Sequence, residues 1–397
     1  MLFGARSVSS IGDGIATVAL AFAVLGFGGP SELGIVLLAR EITIVAFLLP
    51  AGVLADRLPR RWLSATSDFV RAAAQAVSAA LVLTGTATVL RLVLLQALFG
   101  AASACFRPTE TGLMPEAVSA PRLQQANAFV ELVRSASYIV GPALGGVLVV
   151  AIGAGWTLAA GGACYGLGAA LLTRLRIPRG PRIVRASFAY DFRQGFRELL
   201  SRSWVYSMVG AFGLYQLVTY PPLIVLGPYV AKQSLGGAPA WGAVVACGGA
   251  GYLVGGVLAL RTTTRRPLVG TCVTTALFTL QFVLLGVHAP LPAIAAAALV
   301  GGAGMSVGNV FWVTTLQRNV PRDALSRISA FDWFGSSALN PIGYAVVGPV
   351  AGALGAGTTL IAAGAAQLGL ISLPLLSRSV RALEREPMLV EPDPAQV

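Results

Sequence analysis

Charged residues are scarce in this chain: Asp, Glu, Lys and Arg make up 11% of its 397 residues, against about 25% in a typical soluble domain. So few charges cannot solvate the surface of a soluble protein of this length, which excludes an ordinary water-soluble enzyme. Histidine is rarer still, with His288 alone in a short loop beside Pro290, so no histidine-based catalytic constellation forms. The four cysteines, Cys105, Cys164, Cys247 and Cys272, are scattered singly through apolar runs. Without a CxxC or a Cys/His cluster, neither a disulfide framework nor a metal site is supported. Lys232 is the one lysine and follows no glycine-rich loop, which removes a Walker-type ATP site. The 47 glycines and 23 prolines keep no fixed period, so collagen and disordered tracts are excluded as well.

What is abundant is apolar. Hydrophobic residues make up 56% of the chain and the mean hydropathy is +0.77. A helix crosses a bilayer with about 20 largely apolar residues. Twelve stretches qualify, near 7–27, 33–55, 63–84, 89–106, 124–150, 154–173, 204–230, 240–260, 267–287, 290–316, 328–353 and 356–376. They are too long for strands and do not alternate with period two, so the fold expected is an all-α polytopic membrane protein. The first stretch has only Arg6 as a basic flank and runs straight into further spans, so it reads as a transmembrane helix and not a signal peptide. Of the 28 basic residues, Arg40, Arg71 and Arg134 fall within spans, only Arg91 and Lys232 fall on one side, and the other 23 share the opposite side. By the positive-inside rule both termini are cytoplasmic. The net charge of +12 is thereby a topology signal and not a nucleic-acid-binding surface. Trp62, Trp156, Trp204 and Trp241 fall at span ends, where an interfacial aromatic belt would place them.

One long polar segment, residues 175–203, separates six spans from six. Phe188, Phe192, Phe196, Leu199 and Leu200 recur there at helical spacing among arginines, which fits an amphipathic helix on the inner membrane face or a solvated linker equally well. The expected organisation is a six-helix bundle over 1–174, this cytoplasmic linker, a second bundle over 204–377, and a cytoplasmic tail over 378–397. The halves look alike: Gly52-Val-Leu-Ala-Asp56-Arg57 ends span two and precedes Arg60-Arg61, while Gly256-Val-Leu-Ala-Leu260-Arg261 ends span eight and precedes Arg265-Arg266. Such self-similarity marks an internal repeat and implies two pseudo-symmetric bundles with a site between them.

These residues carry a family resemblance. Gly52 through Asp56, Arg57, Arg60 and Arg61 resembles the loop 2–3 signature of the major facilitator superfamily, GxxxDRxGRR in outline, with Pro59 in place of the usual glycine. Ser137-Tyr-Ile-Val-Gly141-Pro142-Ala-Leu-Gly145-Gly146 is similar to the span-five motif of that superfamily's proton antiporters, with Ser137 in place of the first glycine. The stretch from Leu113 through Asn127 resembles the branch holding enterobactin exporters and macrolide efflux proteins. The resemblance implies twelve helices in two six-helix bundles, a cavity lined from spans one, four, seven and ten, and transport driven by the proton gradient without a cofactor.

Asp56 at the cytoplasmic mouth can pair with an arginine or cap a helix, and Arg107 is its candidate partner. Leu260 replaces that aspartate in the second half, so the latch is expected on one side only. Gly141, Pro142, Gly145 and Gly146 remove side chains and one amide donor in mid-membrane, permitting a bend and a close helix contact or serving as plain packing glycine. Charges inside spans cost on the order of 2.5–3.5 kcal/mol each on insertion scales, so they are expected paired or wet. Asp68 with Arg71, and Glu131 with Arg134, stand three apart on their helices and can pair locally. Asp13 and Asp332 have no such partner on their own helices. Asp13 and Glu41 are therefore the first candidates for proton coupling, followed by Asp332 and Glu131. Tyr215, Gln216 and Tyr220 of span seven, with Asn309 and Trp312 of span ten, are the candidate cavity contacts. The expectation is a monomeric secondary transporter of a bacterial inner membrane, its partners the lipid bilayer, protons and one small amphipathic compound, whether drug, natural product or siderophore. An importer of the same fold and a transport-inactive scaffold or sensor are the rivals.

Overall fold

The computed structural model describes residues 2–117, 123–174, 193, 196–320, 328, 331–332, 334–335 and 338–384; side chains at 2–3, 49, 52–53, 55–57, 60, 106–117, 123–135 and 138 fall outside the description. The described residues form helices and no strand. In chain order these are α1 (Leu2–Phe27), α2 (Pro30–Arg57), α3 (Arg60–Leu83), α4 (Val89–Ala117), α5 (Leu123–Thr173), α6 (Ser203–Val230), α7 (Ala238–Arg261), α8 (Pro267–Ala276), α9 (Thr279–Gly286), α10 (Leu291–Asn319), α11 (Asn340–Leu354), α12 (Ala356–Ser372) and the short α13 (Arg378–Ala382). Seven described helical stretches are long and apolar enough to cross a membrane. One of them, Ile139–Thr173, supplies two crossings, and Pro267–Gly286 joins α8 and α9 into one. The remaining crossings are α2 and α3, made more polar by Glu32, Arg40, Glu41, Asp68 and Arg71, together with α4 and α11.

The chain reverses inside α5. Gly153, with φ 82° and ψ 160°, breaks the helical backbone in a conformation that glycine adopts without strain. Residues on either side run past α1 in opposite senses. Gly141 and Gly145 meet Ile11 and Ile15, whereas Gly161 and Gly168 meet Ala16 and Ser9. Spans five and six are therefore a hairpin closed by a single residue. Among the described residues the other positive-φ positions, Gly85, Gly236, Gly237, His288 and Gly355, likewise sit in reversals at this same, arginine-poor end.

Packing repeats between the halves. In the first, α1 lies along the first limb of α5, and α2 meets α4 where Gly100 faces the Arg40 carbonyl. Six spans later, Gly343 of α11 meets Leu217 and Pro221 of α6, while Gly251 and Gly255 of α7 meet Leu299 and Ala303 of α10. Without a hydrophobic drive between helices in lipid, small residues that admit close backbone contact are what hold such pairs.

The core is distributed unequally along the membrane normal. At the arginine-poor end one apolar cluster joins both halves, running from Val24, Leu25 and Leu33 through Val225, Val230 and Trp241 to Tyr344 and Val347. Among the described residues the remaining core clusters stay within one half: Trp204, Met208, Trp312 and Leu316 belong to the second, toward the arginine-rich end, and Ala16, Ala74, Phe99 and Tyr165 pack within the first at mid-depth. The two bundles are thus welded at one end. Trp204 and Trp241, expected in an interfacial belt, are instead buried in these cores because packing outweighs their preference for the headgroup level; Trp62 and Trp156 are exposed.

Candidate functional site

Three helices bring a charge cluster together at mid-depth in the first half. Arg71 of α3 donates to Asp68 one turn earlier, Nη1 to Oδ1 at 2.9 Å. Its other terminal nitrogen donates to Asp13 of α1. The i,i+3 pair expected for Asp68 and Arg71 is present. Asp13, which has no such partner on its own helix, takes its cation from a neighbouring one. Tyr165 of span six donates its hydroxyl to the same Asp13 oxygen at 2.7 Å, and Ser9 donates to Asp68 at 2.9 Å. The Asp13 side chain keeps 43% exposure, while Arg71 keeps 3% and Asp68 1%. Asp13 is the accessible member of a cluster otherwise shut in protein. An ion pair this buried is held by its completeness, since removing one partner typically costs 3–5 kcal/mol.

Aromatic faces extend the cluster toward the other bundle. The Arg71 guanidinium lies over the Tyr165 ring at 4.2 Å and over Phe99 at 5.0 Å, and Arg40 of α2 lies over the same Phe99 at 4.5 Å. Phe99 is fully buried between two cations, whose attraction to its ring faces offsets part of their desolvation. Arg40 and Glu41 in turn lie within electrostatic reach of Tyr344 on α11, as does Tyr220 of α6. Glu41 therefore stands where the bundles meet, while Asp13 lies within one of them.

The span-five glycines divide their contacts between two neighbours. Gly141 and Gly145 face α1, with the backbones of Gly141 and Gly14 in direct contact. Gly146 faces the second bundle, where a Cβ would stand 2.5 Å from the Ala238 carbonyl oxygen. Gly242 of α7 reciprocates with a Cβ position 2.6 Å from the Pro142 carbonyl oxygen. A matching seam joins α2 to α11, where Gly34 meets the Tyr344 carbonyl and Gly348 meets Ser31. Both seams lie toward the arginine-poor end.

The loop 2–3 motif spans the end of α2, the two-residue turn Leu58-Pro59 and the start of α3, with Pro59 as N-cap. Gly52 lies in α2 and Arg61 opens onto the ring of Trp62 at 4.7 Å. The side chains of Asp56, Arg57, Arg60 and Arg107 lie outside the described residues, as do those of Glu131 and Arg134 and most of the 175–203 segment. Leu260, which stands where the first half has Asp56, is 85% exposed.

In the second half Asp332 accepts a hydrogen bond from the Trp312 indole Nε1 at 2.9 Å. Trp312 packs edge-on to Trp204 with ring centroids 6.1 Å apart and is buried. Tyr215 is fully buried and points its hydroxyl at the Met305 sulfur, 3.4 Å away. Tyr215 and Trp312, expected as cavity contacts, are instead packing residues of the second core, because their large rings fill the space between α6, α10 and α8. Gln216 is half-buried, Tyr220 is exposed, and Asn309 is exposed and donates to the Tyr252 hydroxyl at 3.3 Å. Sequence reasoning passed over Tyr165, Ser9 and Phe99. The one signal in their favour is polarity or an aromatic ring at a helix position that meets a charged residue of another span, and it takes the three-dimensional packing to reveal that.

The Major Facilitator Superfamily family model matches residues 2–344. The multidrug efflux pump Tap of Mycobacterium tuberculosis (strain ATCC 25618 / H37Rv) is 25% identical over 407 residues, covering 99% of this chain and 94% of that protein. Tap of Mycolicibacterium fortuitum is 26% identical over 399 residues, covering 96% and 94%. Among solved structures, the nucleoside transporter NupG superposes with a TM-score of 0.75 at 13% identity, covering 94% of this chain and 97% of that one. A bacterial homologue of the lysosomal transporter Spinster gives 0.70 at 15%, covering 96% and 94%.

Proposed function

Because the chain belongs to the Major Facilitator Superfamily, and so is a multi-pass membrane transporter and not an enzyme, we propose that it is a proton-coupled antiporter expelling a small amphipathic compound by alternating access. The observation that carries this reading is Asp13: an accessible carboxylate at mid-depth, held by a buried arginine and a buried tyrosine hydroxyl. Export is favoured by the name of the relatives, multidrug efflux pumps, which align over nearly the whole chain. It is favoured too by the Gly141-Pro142-Gly145-Gly146 motif, whose last glycine sits in the seam between bundles.

With the arginine-rich end taken as cytoplasmic, the welded end faces outward, and the state described is closed to the outside. The host is then a bacterial inner membrane. In the coupling step Asp13 accepts one proton, loses its charge, and frees Arg71 from one of its two anions. Arg71 keeps Asp68, so no buried cation is stranded. Relaxed from Asp13, the guanidinium can shift against Phe99 and Arg40, and through them bias the seam at Tyr344. Return of the proton to the cytoplasm restores the clasp. Glu41, beside that seam, is the second candidate carrier. Asp332 is tied to Trp312 in a packed core and ranks below both.

Everted membrane vesicles with an imposed inside-acid gradient and a pH-sensitive dye test the reading. Adding lipophilic drugs and siderophores in turn should release protons in the wild type and fail to do so in Asp13→Asn purified as a monodisperse protein. Proton release that persists undiminished in Asp13→Asn overturns the coupling role. Proton movement in the opposite sense on adding substrate marks the importer.

A further inference from the structure

The single lysine does something the coupling site does not account for. Lys232 lies on a π-helical turn, Ala231–Leu235, that ends α6. Its Nζ donates to the carbonyl oxygen of Leu25, in the last turn of α1 and hence in the other bundle. That carbonyl is available for a specific reason. In a continuing helix the amide of Gly29 would bond back to Leu25. Here the Gly29 N–H donates instead to Glu32 Oε2 at 2.8 Å, the carboxylate of the first turn of α2 reaching back to the N-cap amide. The carbonyl groups of a final helical turn carry partial negative charge and lack partners of their own, so a cation is a favourable cap.

The geometry of the carrier segment is equally specific. Val230 and Ala231 keep helical dihedrals, so Lys232 is aimed by the register of α6, and the chain widens into the π turn only after it. Gly236 and Gly237 follow with φ values of 94° and 83°, with no atom within 4 Å of where a Cβ would be on either. The lysine therefore sits on a turn with room to move, at the end where the two bundles share one core. Beside it, Leu25, Val230 and Ala231 are buried together.

We propose that Lys232 is the latch of the arginine-poor gate: its ammonium ties α6 to the C-terminus of α1 only while that end is closed, and must leave the Leu25 carbonyl each time the end opens. The proposal rests on the alternating-access reading, not on proton coupling. Lys232 is thus a positioning residue, setting the ratio of the two states without touching substrate. An arginine should replace it in part, because it keeps the charge and the reach. A methionine should not, because it keeps the apolar stem and loses the cation.

The test reads opening directly in the full chain in lipid nanodiscs, in a background whose four native cysteines are replaced by alanine. Ser31→Cys places a half-buried thiol in the α2–α11 seam, against Gly348, where a bulky maleimide reacts faster when the gate opens. Thr86→Cys, in an exposed reversal, reports reagent access alone. Lys232→Met should raise the labelling rate at position 31 roughly fivefold, as expected for a lost helix-terminus cation, and leave position 86 unchanged; Lys232→Arg should stay near the wild-type rate. Equal rates at position 31 in wild type and Lys232→Met overturn the latch, as does an Lys232→Arg rate equal to that of Lys232→Met. Neither result depends on transport, so loss of antiport with an intact latch response would refute the coupling reading and leave this one standing.

Discussion

The seam between the bundles is narrow enough that one methyl group should shift the balance of states. At Gly146 a Cβ would stand 2.5 Å from the Ala238 carbonyl oxygen and 3.1 Å from the Pro239 Cα. Ordinary contact begins near 3.4 Å, so the obstacle is almost 1 Å too close, and it is backbone that no rotamer change can move aside. Overpacking of this kind costs about 1–3 kcal/mol. The clash exists only while α5 and α7 are pressed together, so the cost falls on the state described and not on the alternate one. Gly146→Ala should therefore move the ratio of states about 5- to 150-fold toward opening of the arginine-poor end. Gly166→Ala is the control, because its Cβ would meet only the Ala72 Cβ at 3.9 Å, within one bundle. Spin labels at Thr86 and Val287, in exposed reversals on either side of the seam, allow the distance distribution to be read by electron–electron double resonance. A longer-distance population should grow in Gly146→Ala and stay at the wild-type level in Gly166→Ala. Superimposable distributions for wild type and Gly146→Ala would refute the assignment of Gly146 to the moving seam.

Further outcomes follow from the charge cluster and the second core. Arg71→Leu strands Asp68 in a dry site and should cost about 3–5 kcal/mol, seen as lost yield and a lowered melting temperature in detergent; Asp68→Asn/Arg71→Leu should recover part of both. Tyr165→Phe keeps the ring against Arg71 and removes only the hydroxyl from Asp13, so it should retain the melting temperature to within a few degrees while slowing proton-driven efflux in vesicles. Trp312→Phe leaves Asp332 without its indole donor and should lower stability by about 1–3 kcal/mol with little change in the order of compounds expelled. Tyr215→Phe should leave substrate preference unchanged, because that ring is enclosed in the core; a changed preference would return it to the cavity wall.

The helical bundle was legible because a crossing needs about 20 apolar residues and the arginines crowd onto one side. The Asp68–Arg71 pair was legible for a local reason: three residues on a helix bring both groups to one face. The partner of Asp13 was not, since Arg71 is 58 residues away and only the packing of α1 and α3 on α5 brings them together. Span seven shows the limit most clearly. Its helix is apolar all round, so periodicity gives no inner face, and Tyr215 and Tyr220 look equivalent in sequence. The structure encloses the first and exposes the second. The same ambiguity placed Trp204 and Trp241 at the lipid headgroups when their neighbours have taken them into the core.

The one-residue reversal at Gly153 gives spans five and six the mechanics of a folded ruler. With no slack between them, neither limb can slide along its axis without carrying the other. One limb bears Gly146, which rides on the opposite bundle; the other bears Tyr165, whose hydroxyl holds Asp13. A tilt imposed at the seam would thereby reach the carboxylate with no intervening loop to absorb the stroke.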